Sequence, residues 1–410
     1  MNWRLARFAT RAAVLLASVA AAVPWYLAVN AEPPLDRIAL LHWVSPHLAL
    51  GGALGGKALL VSLLISLPVV TLAMWTGRWF CRWLCPVGLL ADGCSTVGKR
   101  LLRQRPLRLS PPSRILLAAT LGGAVLGFPW FLLLDPLSLL SGALAACRPQ
   151  LTLVGAVACA ALAIPLLAGL VWPGVWCQQI CPLGATQDLL GSAGRRCRTA
   201  RSKPPMPQSE GSWALSRRFL VGAGLAALAG GVVRLFLHTR RQRVVRPPGA
   251  VDEDTFVALC ARCGACTRAC PAGIIVPDGG SAGAHGLLAP KLVFGPGHCE
   301  VNCHVCTRVC PTGAIRRLDL PGKSRMLAGR AEVRADGCLA KEGQPCMVCR
   351  DCCPYEAVNV DHPTGFGLPA IDVDLCRGCG LCALMCPGDP GTILIAGHAH
   401  QRPTPRAVRA

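Results

Sequence analysis

Long apolar runs crowd the first 240 positions, whereas the remainder of the chain is more polar and rich in cysteine. Four runs, Ala12–Val29, Ala58–Trp75, Ile115–Leu134 and Leu151–Trp172, are each long enough to cross a hydrocarbon layer of roughly 30 Å at about 1.5 Å per residue. They predict four membrane helices. Each holds a proline (Pro24, Pro68, Pro129, Pro165), which a membrane helix tolerates where neighbouring groups satisfy the freed carbonyl. Trp25, Trp75, Trp130 and Trp172 lie near the ends, as interfacial anchors do. The pattern therefore divides the chain into a membrane domain at 1–198, a Pro- and Ser-rich linker at 199–215, a fifth weakly apolar helix at 216–238, a cysteine-rich domain at 250–397 and a flexible tail at 398–410.

Composition agrees with that division. The chain of 410 residues is 52% hydrophobic and 15% charged, with a mean hydropathy of +0.45, too apolar for a soluble protein. The net charge of +21 is concentrated beside the apolar runs. Arg4, Arg7 and Arg11 precede the first, Arg78, Arg82, Lys99, Arg100, Arg103, Arg105, Arg108 and Arg114 follow the second, and Arg195, Arg196, Arg198, Arg201 and Lys203 follow the fourth. Cytoplasmic loops retain positive charge, so these segments are expected inside and the loops between helices one and two and between three and four outside. Arginines that flank membrane helices without interleaved aromatics do not describe a nucleic-acid surface, and no nucleic-acid partner is expected.

The chemistry is carried by cysteine. Cys260, Cys263, Cys266 and Cys270, followed by Pro271, form a C-x2-C-x2-C-x3-C-P string, and Cys376, Cys379, Cys382 and Cys386 repeat it before Pro387. Looser versions run Cys299, Cys303, Cys306, Cys310 and Cys338, Cys346, Cys349, Cys353. Three closely spaced thiols grip three corners of a 4Fe-4S cube, and in two-cluster ferredoxins the fourth thiol serves the neighbouring cluster. Sixteen thiols suffice for four cubanes, with an α+β ferredoxin-like fold of paired strings; which string pairs with which is open. Zinc also binds CxxC pairs but does not call for a recurrent third interval closed by Cys-Pro. A disulfide framework fits such spacing less well still.

The membrane half repeats itself. A shift of 96 residues lays Cys81, Cys85, Pro86, Gly88 and Asp92 onto Cys177, Cys181, Pro182, Gly184 and Asp188. Two copies with the same orientation predict an approximate two-fold axis along the membrane normal that brings the two CxxxCP loops together. Three roles are open for those four thiols: a fifth cluster, reactive thiol pairs, or helix caps. Cys94, Cys147, Cys159, Cys197 and Cys352 fit no string and are expected as packed thiols.

Ser216, Arg217, Arg218, Phe219, Leu220 and Val221 resemble a twin-arginine export signal, which suits a cluster domain that must cross the membrane already folded. The arginines that follow, Arg240, Arg241, Arg243 and Arg246, would oppose ordinary insertion of the fifth helix.

With those motifs in place, the chain resembles two known proteins joined end to end. The segment carrying Cys81-x3-Cys85-Pro86 and Cys177-x3-Cys181-Pro182 is similar to the NapH-type membrane quinol dehydrogenase subunit. The part from Ser216 onward, with seven residues between Cys338 and Cys346, is similar to the NapG/MauM-type exported polyferredoxin. The resemblance implies electron transfer from the membrane quinone pool through four 4Fe-4S clusters to a periplasmic redox partner, in a multi-pass protein of a bacterial inner membrane whose cluster domain faces outward. The chain departs from the membrane family in lacking a cytoplasmic two-cluster ferredoxin after the fourth helix. Quinol oxidation releases two protons, and His42, His47 and Asp135 are the titratable candidates to accept them. Their structural alternatives are interfacial polar residues and a turn after a helix. The second functional class is a maturation or regulatory membrane protein that reduces metal or thiols during assembly of another redox enzyme. Neither a dinucleotide-binding glycine fingerprint nor a CxxCH haem string is present.

Overall fold

The computed structural model describes residues 3–20, 42–56, 61–103, 113–125, 132–146, 153–199, 244–360 and 366–404, with isolated positions between 221 and 228. The twin-arginine string, the 199–215 linker and most of the expected fifth helix lie outside the described residues. The chain forms two compact units, one built on Met1–His238 with Ala258–Gly264 and Pro311–Gly313, the other on Thr239–Val257, Ala265–Cys310 and Ala314–Ala410.

The first unit is helical: α1 (Trp3–Ala20), α2 (Pro46–Gly56), α3 (Val61–Thr76), α4 (Trp79–Trp83), α5 (Pro86–Arg100), α6 (Ser113–Val125), α7 (Pro136–Ala146), α8 (Leu153–Val171) and α9 (Pro182–Thr199). Among the described residues α8 alone is long and apolar enough to cross a membrane, while α3, α6 and α7 are shorter apolar helices. Helices α3 and α8 turn large apolar side chains outward, including Leu64, Leu67, Ile164 and Leu167.

Two elements differ from the sequence expectation. Segments expected as outer loops after positions 42 and 134 instead start short helices, α2 and α7, each of 11 residues. The cause is local. Pro46 and Pro136 occupy the first helical position, where a missing N–H costs nothing. Ser45 and Asp135 precede them, and the Asp135 carboxylate accepts the N–H groups of Leu137 and Ser138 at 3.0 and 3.3 Å.

The repeat is visible in the packing. Helix α5, after the first CxxxCP loop, packs on α8 of the second copy, and α9, after the second loop, packs reciprocally on α3 of the first. Gly98 of α5 lies directly against the Leu170 carbonyl, and Gly194 of α9 against the Met74 carbonyl. Both members of this contact are related by the same 96-residue shift.

The second unit is built from short helices and two-stranded antiparallel sheets. Its longest pairing joins β3 (Met326–Val333) to β6 (Ile393–Pro403), from Val333↔Ile393 to Met326↔Pro403 with an irregularity between Leu327 and Gly329. Strand β6 carries through His398–Pro403, where a flexible tail was expected; pairing with β3 supplies the missing hydrogen-bond partners. Smaller ladders pair β1 (Ile275–Pro277) with β2 (Pro290–Leu292) and β4 (Val358–Asn359) with β5 (Ala370–Ile371). Apolar side chains here pack around cysteine: Tyr355, Val358 and Ile393 share a core with Cys349, Cys376 and Cys382.

Candidate metal centres

Three cavities in the second unit are each lined by four cysteines. One of about 360 Å³ holds Cys270, Cys299, Cys303 and Cys306 among Pro271, Ile274, Ile275 and Leu292. We call it site A. Site B, about 330 Å³, holds Cys353, Cys376, Cys379 and Cys382. Site C, about 350 Å³, holds Cys338, Cys346, Cys349 and Cys386. Each site takes three thiols from one string and the Cys-Pro thiol of another, so the first string pairs with the second and the third with the fourth. All three leading cysteines of the irregular second string line site A, which resolves their ambiguous spacing.

The local backbone is arranged for sulfur that carries charge. Amide N–H groups donate to sulfur from Ala331 to Cys376, Ala357 to Cys353 and Ile315 to Cys310, each at 3.4 Å. Burial pushes the Cys349 thiol up to about 11 and Cys379 up to about 12, the cost of placing anionic sulfur in apolar surroundings without a cation. The iron of a bound 4Fe-4S cluster would supply that cation. Among the described residues no set of three or more His, Cys, Asp or Glu is grouped for a single metal ion. Four thiols around a cavity suit a multinuclear cluster better than mononuclear zinc. Cys352, beside the ligand position Cys353, lines none of these cavities, and Cys197 is exposed, contrary to the packed thiol expected there.

In the first unit Cys81, Cys85, Cys177 and Cys181 lie close enough for their charges to act on one another. Cys85 caps α5 and accepts the Gly88 N–H at 3.3 Å; Cys181 accepts that of Gly184, its counterpart by the repeat. Gln187 Nε2 donates to Cys81 Sγ at 3.1 Å. Arg78 fixes the second loop, donating to the Cys177 carbonyl at 2.6 Å and to Asp188 at 2.8 Å. The turn Val175–Ile180 is a π-helix, a departure common at functional sites. Burial pushes Cys81 up to about 11 and Cys177 up to about 12, so as free thiols they are poor nucleophiles. This grouping, with N–H donors aimed at sulfur, fits a shared cluster.

His42, His47 and Asp135 were expected on the face opposite those loops. The structure places Asp135 and His47 beside the loops instead. Leu137 and Leu140 of α7 share one core with Cys85, Cys181 and Trp176, and the Asp135 charge acts on Cys81 and Cys85. Ser45 Oγ donates to Asp135 at 2.9 Å, and His47 Nδ1 meets Thr186 Oγ1 of α9 at 3.2 Å. All three expected residues are buried. Sequence reasoning missed Ser45, Thr186 and Gln187, which have no signature of their own; the Ser-Pro and Asp-Pro pairs ahead of apolar runs were the available signal for the buried caps.

Comparison with known proteins agrees with this geometry. A 4Fe-4S dicluster domain model matches residues 259–314, one 4Fe-4S binding domain model matches 369–390, and another matches twice, at 58–104 and 153–200. The methylamine utilization ferredoxin-type protein MauM of Methylorubrum extorquens is 32% identical over 49% of this chain and 92% of its own length. The ferredoxin-type protein NapG of Escherichia coli K12 is 36% identical over 42% of this chain and 80% of its own. The chain belongs to the MauM/NapG family of ferredoxin-type proteins. NapF of Haemophilus influenzae is 33% identical over 35% of this chain and 74% of its own. No solved structure matches. As a member of this family the chain is an iron–sulfur electron carrier, and the double match at 58–104 and 153–200 coincides with the two CxxxCP repeats.

Proposed function

We propose that this ferredoxin-type protein is anchored in a bacterial inner membrane, oxidises quinol in its first unit and delivers electrons from its second unit to a redox partner outside the cytoplasm. The first unit would then be a NapH-type subunit fused to the NapG/MauM-type carrier, with the twin-arginine string exporting the second unit. When bound, 4Fe-4S clusters supply one-electron acceptors for the two electrons of a quinol. The observation that carries the reading is the buried polar group beside the CxxxCP thiols. Asp135 and His47 are two proton acceptors held by Ser45 and Thr186, and Ser138 Oγ and Trp176 Nε1 are buried nearby without hydrogen-bond partners among the described residues. Buried polar atoms of this kind are costly unless a ligand engages them. Quinol hydroxyls satisfy that demand while surrendering their protons to the carboxylate and imidazole.

The test is quinol-dependent bleaching of cluster absorbance by the full chain, purified anaerobically in detergent. Asp135→Asn, which keeps the cap geometry but cannot accept the proton, is expected to slow bleaching at least ~100-fold with the iron content unchanged. Bleaching within twofold of the parent would refute Asp135 as the acceptor. No quinol-dependent bleaching in the parent itself would refute the quinol reading.

A further inference from the structure

Sites A and B meet at a junction that contains two buried cations. The Cys299 N–H donates to the Cys379 carbonyl at 2.8 Å, so a ligand loop of one site is bonded directly to a ligand loop of the other. A cavity of about 270 Å³ beside this link is lined by Cys299, Lys323, Tyr355, Arg377 and Cys379. Arg377 is 5% exposed; it donates to the carbonyls of Ser324, Asp374 and Leu375, and its guanidinium lies 5.3 Å from the Tyr355 ring centroid.

Lys323, on the short helix Leu320–Arg325, is the more telling of the two. Its residue is 4% exposed, its ammonium donates to the carbonyls of Glu300 and Val301, and it shares a cavity with Cys299, on whose sulfur its charge acts. Among the described residues no carboxylate lies within ion-pair distance of it. A buried charge is tolerated when it is paired, and two carbonyl dipoles do not neutralise an ammonium. The anion within reach is the ligand sphere of site A, whose four cysteinates give a bound cluster net negative charge that grows by one on reduction. Neither site's own lining has a lysine or arginine, and that of site A includes Glu300; the difference is that the Lys323 charge acts on Cys299 of site A from the adjoining cavity, whereas the charges acting on Cys349 of site C are those of other cysteines.

Cluster potentials follow net charge, hydrogen bonds to sulfur and solvent exposure. We infer that Lys323 is the counter-charge of site A and sets its reduction potential above that of site C, so that electrons moving through the second unit collect at the A–B junction. The step it biases is a single electron entering site A from a neighbouring site. No bond forms or breaks in that step. This inference rests on the iron–sulfur character of the chain and is independent of what reduces it.

The test is an EPR-monitored redox titration of the full chain, with clusters intact and dithionite as reductant, comparing the parent with Lys323→Gln and Lys323→Arg. Gln retains a donor for the carbonyls but no charge. It should lower the reduced-to-oxidised ratio of one cluster at least tenfold at fixed potential, a downward shift of about 59 mV for a one-electron couple. Arg should keep that ratio within threefold of the parent. The signal that moves should be the one altered by Cys306→Ser. Unchanged midpoints in the Gln variant would overturn the inference. Loss of about four irons per chain from the Gln variant would equally overturn it, because Lys323 would then be holding the site together instead of setting its potential.

Discussion

Replacing Gly98 and Gly194 by alanine tests the internal two-fold packing of the first unit. A Cβ at either position would run into a backbone carbonyl, that of Leu170 or of Met74, which cannot swing aside as a side-chain tip could. Two terms compete. Alanine gains roughly 1 kcal/mol of helix propensity over glycine, whereas forcing extra volume into a packed contact costs about 1–3 kcal/mol. Contact with backbone puts the cost at the upper end, so each variant should be destabilised by about 2 kcal/mol, a fall of roughly 4–8 °C in Tm for a unit of this size. Gly93, on the same α5 helix, has nothing within 4 Å of its would-be Cβ. Gly93→Ala should therefore be neutral or stabilising by up to about 1 kcal/mol. Thermal unfolding in one detergent, followed by circular dichroism, compares all three. If Gly98→Ala and Gly194→Ala were as stable as Gly93→Ala, or if only one were damaged, the reciprocal contact would not be part of the folded unit.

Cys270→Ser and Cys303→Ser should abolish the same cluster signal in EPR, and Cys266→Ser a different one; three independent losses would refute the interleaved pairing. Iron and sulfide analysis of anaerobic full-length protein should give about 20 irons per chain, falling to about 16 in the Cys85→Ser/Cys181→Ser double variant. Asp278 is fully buried, paired with Lys291 at 2.9 Å and bonded by the Ala282 N–H at 2.9 Å, so Asp278→Ala should cost about 3–5 kcal/mol in denaturant unfolding. Burial alone would raise that carboxyl, but donors from Ser281, Ala282 and Lys291 outweigh it and hold the group down from 3.8 to about 2. Its stabilising contribution is thus complete above the unfolded value and fades as pH falls toward 2, a loss that Asp278→Asn should not show in acid titration.

The cluster ligands were legible because their chemistry is local. Three thiols at short intervals describe a loop that grips metal, whatever surrounds it. The CxxxCP repeat was legible for a similar reason, as a fixed offset within one chain. Pairing was not, since Cys270 meets Cys299 and Cys353 meets Cys376 only through long-range packing. Helices α2 and α7 were hidden because each apolar run is too short to stand out from a longer membrane span, and their buried caps, Ser45 and Asp135, resemble ordinary turn residues before proline. That hid the convergence of Asp135 and His47 on the CxxxCP thiols. Lys323 was least visible of all: Leu-Pro-Gly-Lys-Ser-Arg reads as solvated loop, and only the folded unit buries the ammonium against Cys299.

Interleaved ligation also imposes an order in time. A ribosome that has released Cys270 has not yet produced its three companions, and site B stays incomplete until Cys382 follows Cys353. Site C closes last, with Cys386, the final cysteine of the sequence. Metal loading of the B–C module must therefore trail translation, and a product truncated after Pro354 would emerge with Cys338, Cys346 and Cys349 lacking a fourth partner and Cys353 lacking all three of its own.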